Sequence, residues 1–310
     1  MEPWTVWIPT EIFNVALLCV FAAVPAVILV VSRRADWGDS RAYATSMRAR
    51  LPFGTDAVHR SVRARLRSVI RANMWGLFVA IVVMGVLFLT TPLAASPYAM
   101  WILSLILLMV VLAAGTLAAQ LRERMFSPVP EAPRVARPVA LRTRDYVGLW
   151  RTRVPVVLLV AAVLATAALS VTTILGVTAI SALLSTAGAL LLAIAATAGT
   201  RWAERRILDQ PQPASDTLEL AWDDLFRADA LSTLRMSAAM TAWLPFGMAT
   251  TLLVSLFLPA QTPELATLMG LFPWWGIPLL QVLYTLGTGK LPAALYPEFL
   301  RAPAPAPVAS

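Results

Sequence analysis

RTRVPVVLLVAAVLATAALSVTTILGVTAISALLSTAGALLLAIAATAGTRWAERR, residues 151–206, decides the fold. Arginines stand at both ends, and no Asp, Glu, Lys, Arg or His lies between Arg153 and Arg201. Two runs, 154–174 and 178–199, are each long enough to cross a hydrocarbon core of about 30 Å as a helix rising about 1.5 Å per residue. Only Leu175, Gly176 and Val177 part them. Backbone amides in lipid must find partners within their own segment, so the runs predict two antiparallel helices joined by a tight turn. The charges at their outer ends then share one side of the membrane.

The same reading extends outward. Stretches near 12–31, 74–91, 99–119, 238–258 and 266–286 are also free of ionisable side chains. Seven spans follow, arranged as one helix and three hairpins whose first helices begin near Met74, Val154 and Ala238. All 25 Lys and Arg residues fall in the segments 32–73, 120–153, 200–237 and 287–310, with 14 of the acids, for a net +11. Glu2, Glu11 and Glu264 are on the other side. Basic loops stay in the cytoplasm, which places the N-terminus outside and the C-terminus inside. Acids before the first span and Arg33-Arg34 after it predict an uncleaved anchor rather than a signal peptide. Residues 1–301 read as one membrane domain. Prolines at 128, 130, 133 and 138 mark an extended linker, and 302–310 (APAPAPVAS) a disordered tail.

Composition agrees. Of 310 residues 59% are hydrophobic and 14% are charged, against about 25% charged in soluble domains. A soluble enzyme, a disordered chain and a disulfide scaffold are excluded, the last because Cys19 is the only cysteine. The net charge of +8 belongs to orientation in a membrane, and no nucleic-acid reader motif accompanies it.

Two cytoplasmic segments have helical patterning. Residues 55–72, with Thr55 as N-cap, put Val58, Val62, Leu66 and Val69 on one face and Arg60, Arg63, Arg67 and Arg71 on another. Such a helix suits the inner leaflet, with the arginines toward anionic headgroups. The plainer alternative is a juxtamembrane anchor. Residues 215–236, with Ser215 as a possible cap, are acidic. There the expectation is that Asp216, Glu219, Asp223 and Asp224 dock the helix against the basic one; the alternative is a solvated face.

Chemistry is hard to find. A single histidine, His59, excludes HExxH and multi-histidine metal sites. Gly287-Thr288-Gly289-Lys290 resembles part of a phosphate loop, but Tyr284 and Leu291 occupy positions that need Gly and Ser or Thr. No cofactor is implied. The spans hold no ionisable group for ion coupling. Pro273-Trp274-Trp275-Gly276-Ile277-Pro278 and Pro245-Phe246-Gly247 break helical regularity, either as structural kinks or as a binding site. Small residues at Ala161, Ala165, Ser181, Ser185 and Ala189 predict close packing of the fourth and fifth spans.

The segment 220–229 (LAWDDLFRAD) resembles cytoplasmic segments of uncharacterised actinobacterial multi-span membrane proteins. The resemblance implies no activity. Some of those genes neighbour ABC-transporter genes, which implies a possible partner of that type.

The expectation is therefore an all-α protein of the bacterial cytoplasmic membrane. Its function reads as a non-enzymatic accessory or scaffold component, in contact with lipid, with another membrane protein or with an ABC-type transporter subunit. The rival is a small permease or exporter of an apolar or weakly polar solute, with its site at Pro245, Trp274, Trp275 and Gln281. An intramembrane enzyme is a third and weaker reading.

Overall fold

The computed structural model describes residues 10–90, 107, 110, 111, 113–121, 141–212, 214, 216–257, 276–286, 289–292 and 295–296. Among them the regular structure is helical. In chain order the helices are α1 (Thr10–Val31), α2 (Ala35–Ala49), α3 (Asp56–Thr90), α4 (113–121), α5 (Thr143–Val147), α6 (Leu149–Ile174), α7 (Ile180–Leu208), α8 (Thr217–Phe257) and α9 (Gly276–Thr285). The stretches 99–119 and 266–286 are described only in part. The linker 128–138 and the tail 302–310 lie outside the described residues.

Helices α3, α6, α7 and α8 are long and apolar enough to cross a membrane. Within α1 and α2, Leu18–Val31 and Asp36–Ala49 are bent by 92°. The bend falls where sequence character changes, from the charge-free end of α1 to an α2 that carries Asp36, Asp39, Arg41 and Arg48.

The chain forms two compact units, Met1–Tyr43 with Val62–Ala119 and Ala44–Ser61 with Gln120–Ser310. In the first, α3 and α4 approach closely through glycine. A methyl group at Gly115 would overlap Asn73, and one at Gly76 would overlap Val111. Small residues at such crossings let backbones meet where lipid supplies no hydrophobic drive. The buried Arg65 donates to the carbonyl of Ala119.

In the second unit α8 is the central helix, packed against α5, α6 and α7. It continues unbroken from the acidic segment into the apolar one. No glycine or proline interrupts it before Pro245, and residues such as Ala, Leu and Met favour the helix throughout. Its 41 residues reach about 60 Å, twice the hydrocarbon thickness. So its charged first half, 217–237, lies ahead of an apolar second half long enough to span.

The α6–α7 hairpin closes within the expected turn at 175–177. Gly176 adopts φ +74°. Its N–H donates to the Thr173 carbonyl at 3.0 Å, and Val177 N–H to the Thr172 carbonyl at 2.9 Å. This paired pattern satisfies the last carbonyls of α6. The packing face differs from expectation except at Ala189, which is buried. Ser181 and Ser185 are exposed and Ala161 and Ala165 only half-buried. The buried residues are Ala162, Thr166 and Leu169 on α6, and Thr186, Ala189, Ala193, Thr197 and Thr200 on α7. The buried face of α7 is rich in threonine and turns toward α8, where Thr200 donates to the Leu234 carbonyl at 3.4 Å. Thr166 and Thr197 donate to the carbonyls of Ala162 and Ala193 one turn back, so their hydroxyls carry no unmet polarity inward.

Ala193 is fully buried, whereas Ala198 is exposed. Ala193→Leu is expected to destabilise unit 2 by about 1–3 kcal/mol through overpacking. Ala198→Leu should change little. Thermal unfolding in detergent micelles measures both.

Candidate functional site

The charged half of α8 organises a buried polar cluster. Asp216 caps the helix, its Oδ1 accepting from Glu219 N–H at 2.7 Å, a bond from cap side chain to the third helical amide. The expected cap, Ser215, lies outside the described residues. Trp222 follows, fully buried. Its Nε1 donates to the Pro52 carbonyl at 3.2 Å. Its ring stacks on Phe53 at 5.5 Å and on Phe226 at 6.1 Å. Phe53 in turn meets His59 at 4.5 Å, and Leu218 reaches Gly54 closely enough that a methyl there would overlap it. The acidic helix thus meets the segment that opens α3, through an aromatic stack and a main-chain acceptor.

The two central acids have other partners than the arginines of α3. Asp224 is fully buried. Its Oδ1 accepts from Tyr146 at 3.1 Å and from Gln212 at 2.8 Å, and its Oδ2 from Tyr296 at 2.8 Å. Asp223 accepts from the same Gln212 amide at 2.9 Å and from Arg227 Nε at 2.8 Å. A buried carboxylate is tolerable only with its lone pairs engaged.

Arg227, also buried, distributes its remaining donors to the end of α7 and the turn that follows it. They reach the carbonyls of Ile207 at 3.0 Å, Gln210 at 3.0 Å and Pro211 at 3.2 Å. The last carbonyls of a helix lack partners within it and carry partial negative charge, so a guanidinium is well matched there. A second buried pair lies along the helix: Arg235 holds both oxygens of Glu204 and donates to the Thr152 carbonyl at 3.2 Å. Burial pushes the Glu204 carboxyl up, and Arg235 opposes that shift.

Arg151 donates to Ser232 at 3.3 Å and lies over the rings of Trp150 and Tyr284. The Tyr284 hydroxyl donates back to the Arg151 carbonyl at 3.0 Å. Asp229 accepts the N–H of Gly289 at 2.8 Å. Burial raises its carboxyl to about 6, against the pull of that N–H, Arg48 and Arg151. Gly289 has φ +71°, and any side chain there would meet Arg48. The glycines that mimic a phosphate loop therefore include one with a packing role.

The remaining sequence-predicted residues separate. Arg63 Nη1 is bound to both oxygens of Asp39, at 2.9 and 3.0 Å. Arg67 donates to the Arg34 carbonyl at 2.9 Å. Arg60 and Arg71 are exposed. Pro245 is buried within continuous α8, and Gln281 is exposed on α9. Trp274 and Trp275 lie outside the described residues. Gly276 packs directly beneath the Trp243 ring, which leaves no room for a side chain. Cys19 is exposed on α1. Among the described residues no group of three or more His, Cys, Asp or Glu side chains could hold a metal ion.

Tyr146, Gln212, Arg227 and Tyr296 escaped the sequence reading. Arg227 carried a signal, since Asp223 and Arg227 are spaced i, i+4. The tyrosines and Gln212 lie far from Asp224 in the chain and gave none. Comparison of the chain with protein-family models, with curated proteins and with solved structures finds no match.

Asp224→Ala should destabilise the protein by about 3 kcal/mol, since it removes the acceptor of the buried Tyr146 hydroxyl and of the half-buried Tyr296 hydroxyl and leaves the Gln212 amide with Asp223 alone. Tyr146→Phe and Tyr296→Phe should each cost about 1–2 kcal/mol and combine non-additively. Chemical denaturation of the parent, the three single variants and the double tyrosine variant reads this. Asp229 gives a pH signature. Its carboxyl titrates higher folded, about 6, than its ordinary 3.8, so between these values the folded state binds more protons. Its contribution to stability therefore falls as pH rises through that window. Asp229→Asn should be more stable than the parent at pH 8 and no more stable at pH 4.

Proposed function

We propose that this chain is a non-enzymatic component of a membrane assembly, an accessory or scaffold subunit. One observation carries the reading: the buried charged groups around α8 are spent on one another, on polar side chains and on backbone carbonyls. Asp224 serves two tyrosines and a glutamine. Arg227 serves Asp223 and three carbonyls, and Glu204 serves Arg235. Groups satisfied in this way hold helices in place and are not poised for proton transfer or for a substrate.

The topology in this proposal has seven spans, the N-terminus outside and the C-terminus in the cytoplasm of a bacterial cell. The α6–α7 hairpin supports it. Its open end carries Trp150, Arg151 and Arg153 on one helix and Arg201, Trp202, Arg205 and Arg206 on the other, with Arg206 over the Trp202 ring at 5.7 Å. Its turn, 175–179, carries no charge. Basic and aromatic residues at one end only are the pattern of a cytoplasmic interface. Lipid and a second membrane protein, such as an ABC-type transporter subunit, are the partners we propose. The occupied acids Asp216, Asp223 and Asp224 serve the internal fold in this reading, so charge reversal there tests stability before it tests assembly.

An exported-only reporter fused after residues 95, 176 and 262 is expected to be active at all three positions; inactivity at any of them removes the seven-span arrangement. In proteoliposomes, Trp275→Ala and Gln281→Ala should leave solute flux indistinguishable from the parent. Flux lost with normal folding would favour a permease.

A further inference from the structure

The first compact unit contains a cavity of about 410 Å³ lined by Leu29, Ser32, Arg33, Arg67, Arg71 and Trp75. Three of the six are arginines and none is acidic. Arg67 and Arg71 stand one turn apart on α3, and Arg33 follows the end of α1. Like charges at this spacing repel. Among the described residues no carboxylate makes an ion pair with Arg33 or Arg71. Arg71 offers only Nε to a main-chain acceptor, the Arg67 carbonyl at 3.4 Å. Arg63, the neighbouring basic residue of the stripe, is by contrast neutralised by Asp39.

The cavity sits at a defined level in both helices. On α1, residues 12–32 carry no charge and Arg33 ends the run. On α3, Arg71 is the last charge before the run 72–90. Leu29 and Trp75 supply an apolar wall beside the guanidinium groups. Tryptophan at such a boundary is an interfacial residue, apolar in body and polar at one edge. A basic cleft with an apolar wall, where two apolar helices emerge into charge, matches a ligand with a phosphate joined to hydrocarbon. Guanidinium groups bind phosphate oxygens in paired hydrogen bonds.

We infer that Arg33, Arg67 and Arg71, with Trp75, form a binding site for the phosphate headgroup of an anionic phospholipid. The inference rests on the membrane reading above. It differs from general attraction of a basic helix to an anionic leaflet, because it selects three arginines and excludes Arg63 and Arg60. Arg67 is the structural member, through its bond to the Arg34 carbonyl; Arg33 and Arg71 are exposed and are the residues to test.

The experiment uses the full chain in detergent, titrated with phosphatidylglycerol or phosphatidylcholine, and reads lipid binding by native mass spectrometry. Phosphatidylglycerol is expected to bind at least tenfold more tightly than phosphatidylcholine. Arg33→Gln and Arg71→Gln should each weaken it about fivefold, the equivalent of about 1 kcal/mol per arginine. Arg60→Gln, about 16 Å along the same helix from Arg71, should change it by less than twofold. Equal loss in Arg60→Gln, or equal binding of the two lipids, would overturn the site. So would glycerol 1-phosphate competing at the same concentration as phosphatidylglycerol, because the ligand would then be a soluble phosphate. If Arg71→Gln does not fold, Arg33→Gln carries the same test from the other helix. Resistance of the parent protein to carbonate extraction from membranes is measured in parallel. Its failure would sink the membrane reading, whereas its success with any overturning result above sinks only the site.

Discussion

Arg227 is the constraint around which the larger unit is arranged. A guanidinium buried to 3% exposure is costly unless its donors are met. Here they are met by a carbonyl in the last turn of α7, by two carbonyls in the turn after it and by a carboxylate one turn back on α8. That single side chain fixes where α7 stops, where the chain turns and how α8 departs. Asp223, held by Arg227, shares a glutamine with Asp224. Asp224 then engages tyrosines from two distant segments. The polar cluster is therefore continuous, and each member sets the position of the next. Removing one leaves others buried without partners, which is why such networks resist partial change.

The long apolar helices follow from a different constraint, and they were the legible part. Charge is expensive in hydrocarbon, so charge-free runs bounded by arginine can be read directly from the residues. The helices α3, α6, α7 and α8 lie where those runs predicted them. The cap at Thr55, which accepts from Val58 N–H at 3.3 Å, and the turn at Gly176 were also visible, because each depends on a few adjacent residues. Of the small residues expected to pack on α6 and α7, Ala189 is buried, and the other buried positions in the run 180–200 of α7 are taken by Ala193 and threonines. Apart from Leu169, both the expected and the observed faces consist of small side chains, and composition alone cannot rank them.

The candidate site was less legible. The acids of α8 stood out by charge, and charge suggested arginine partners. Their actual partners include two tyrosines and a glutamine, residues chosen by burial and hydrogen-bond geometry across long separations in sequence. Likewise, Arg60, Arg63, Arg67 and Arg71 look equivalent on a helical wheel. Their differences come from what approaches each one: Asp39 beside Arg63, the Arg34 carbonyl beside Arg67, a cleft beside Arg71. Tertiary neighbours differentiate what the local pattern makes uniform.

The continuity of α8 has a mechanical consequence. A helix is stiff along its axis, so a rotation imposed at Trp222 or Arg227 reaches the apolar half with little loss. Pro245 is the only proline in the helix, and it removes one main-chain hydrogen bond. Bending compliance therefore concentrates near that residue, within the apolar half. The polar cluster and the first turns of the apolar segment behave as one lever, with its softest point beyond them.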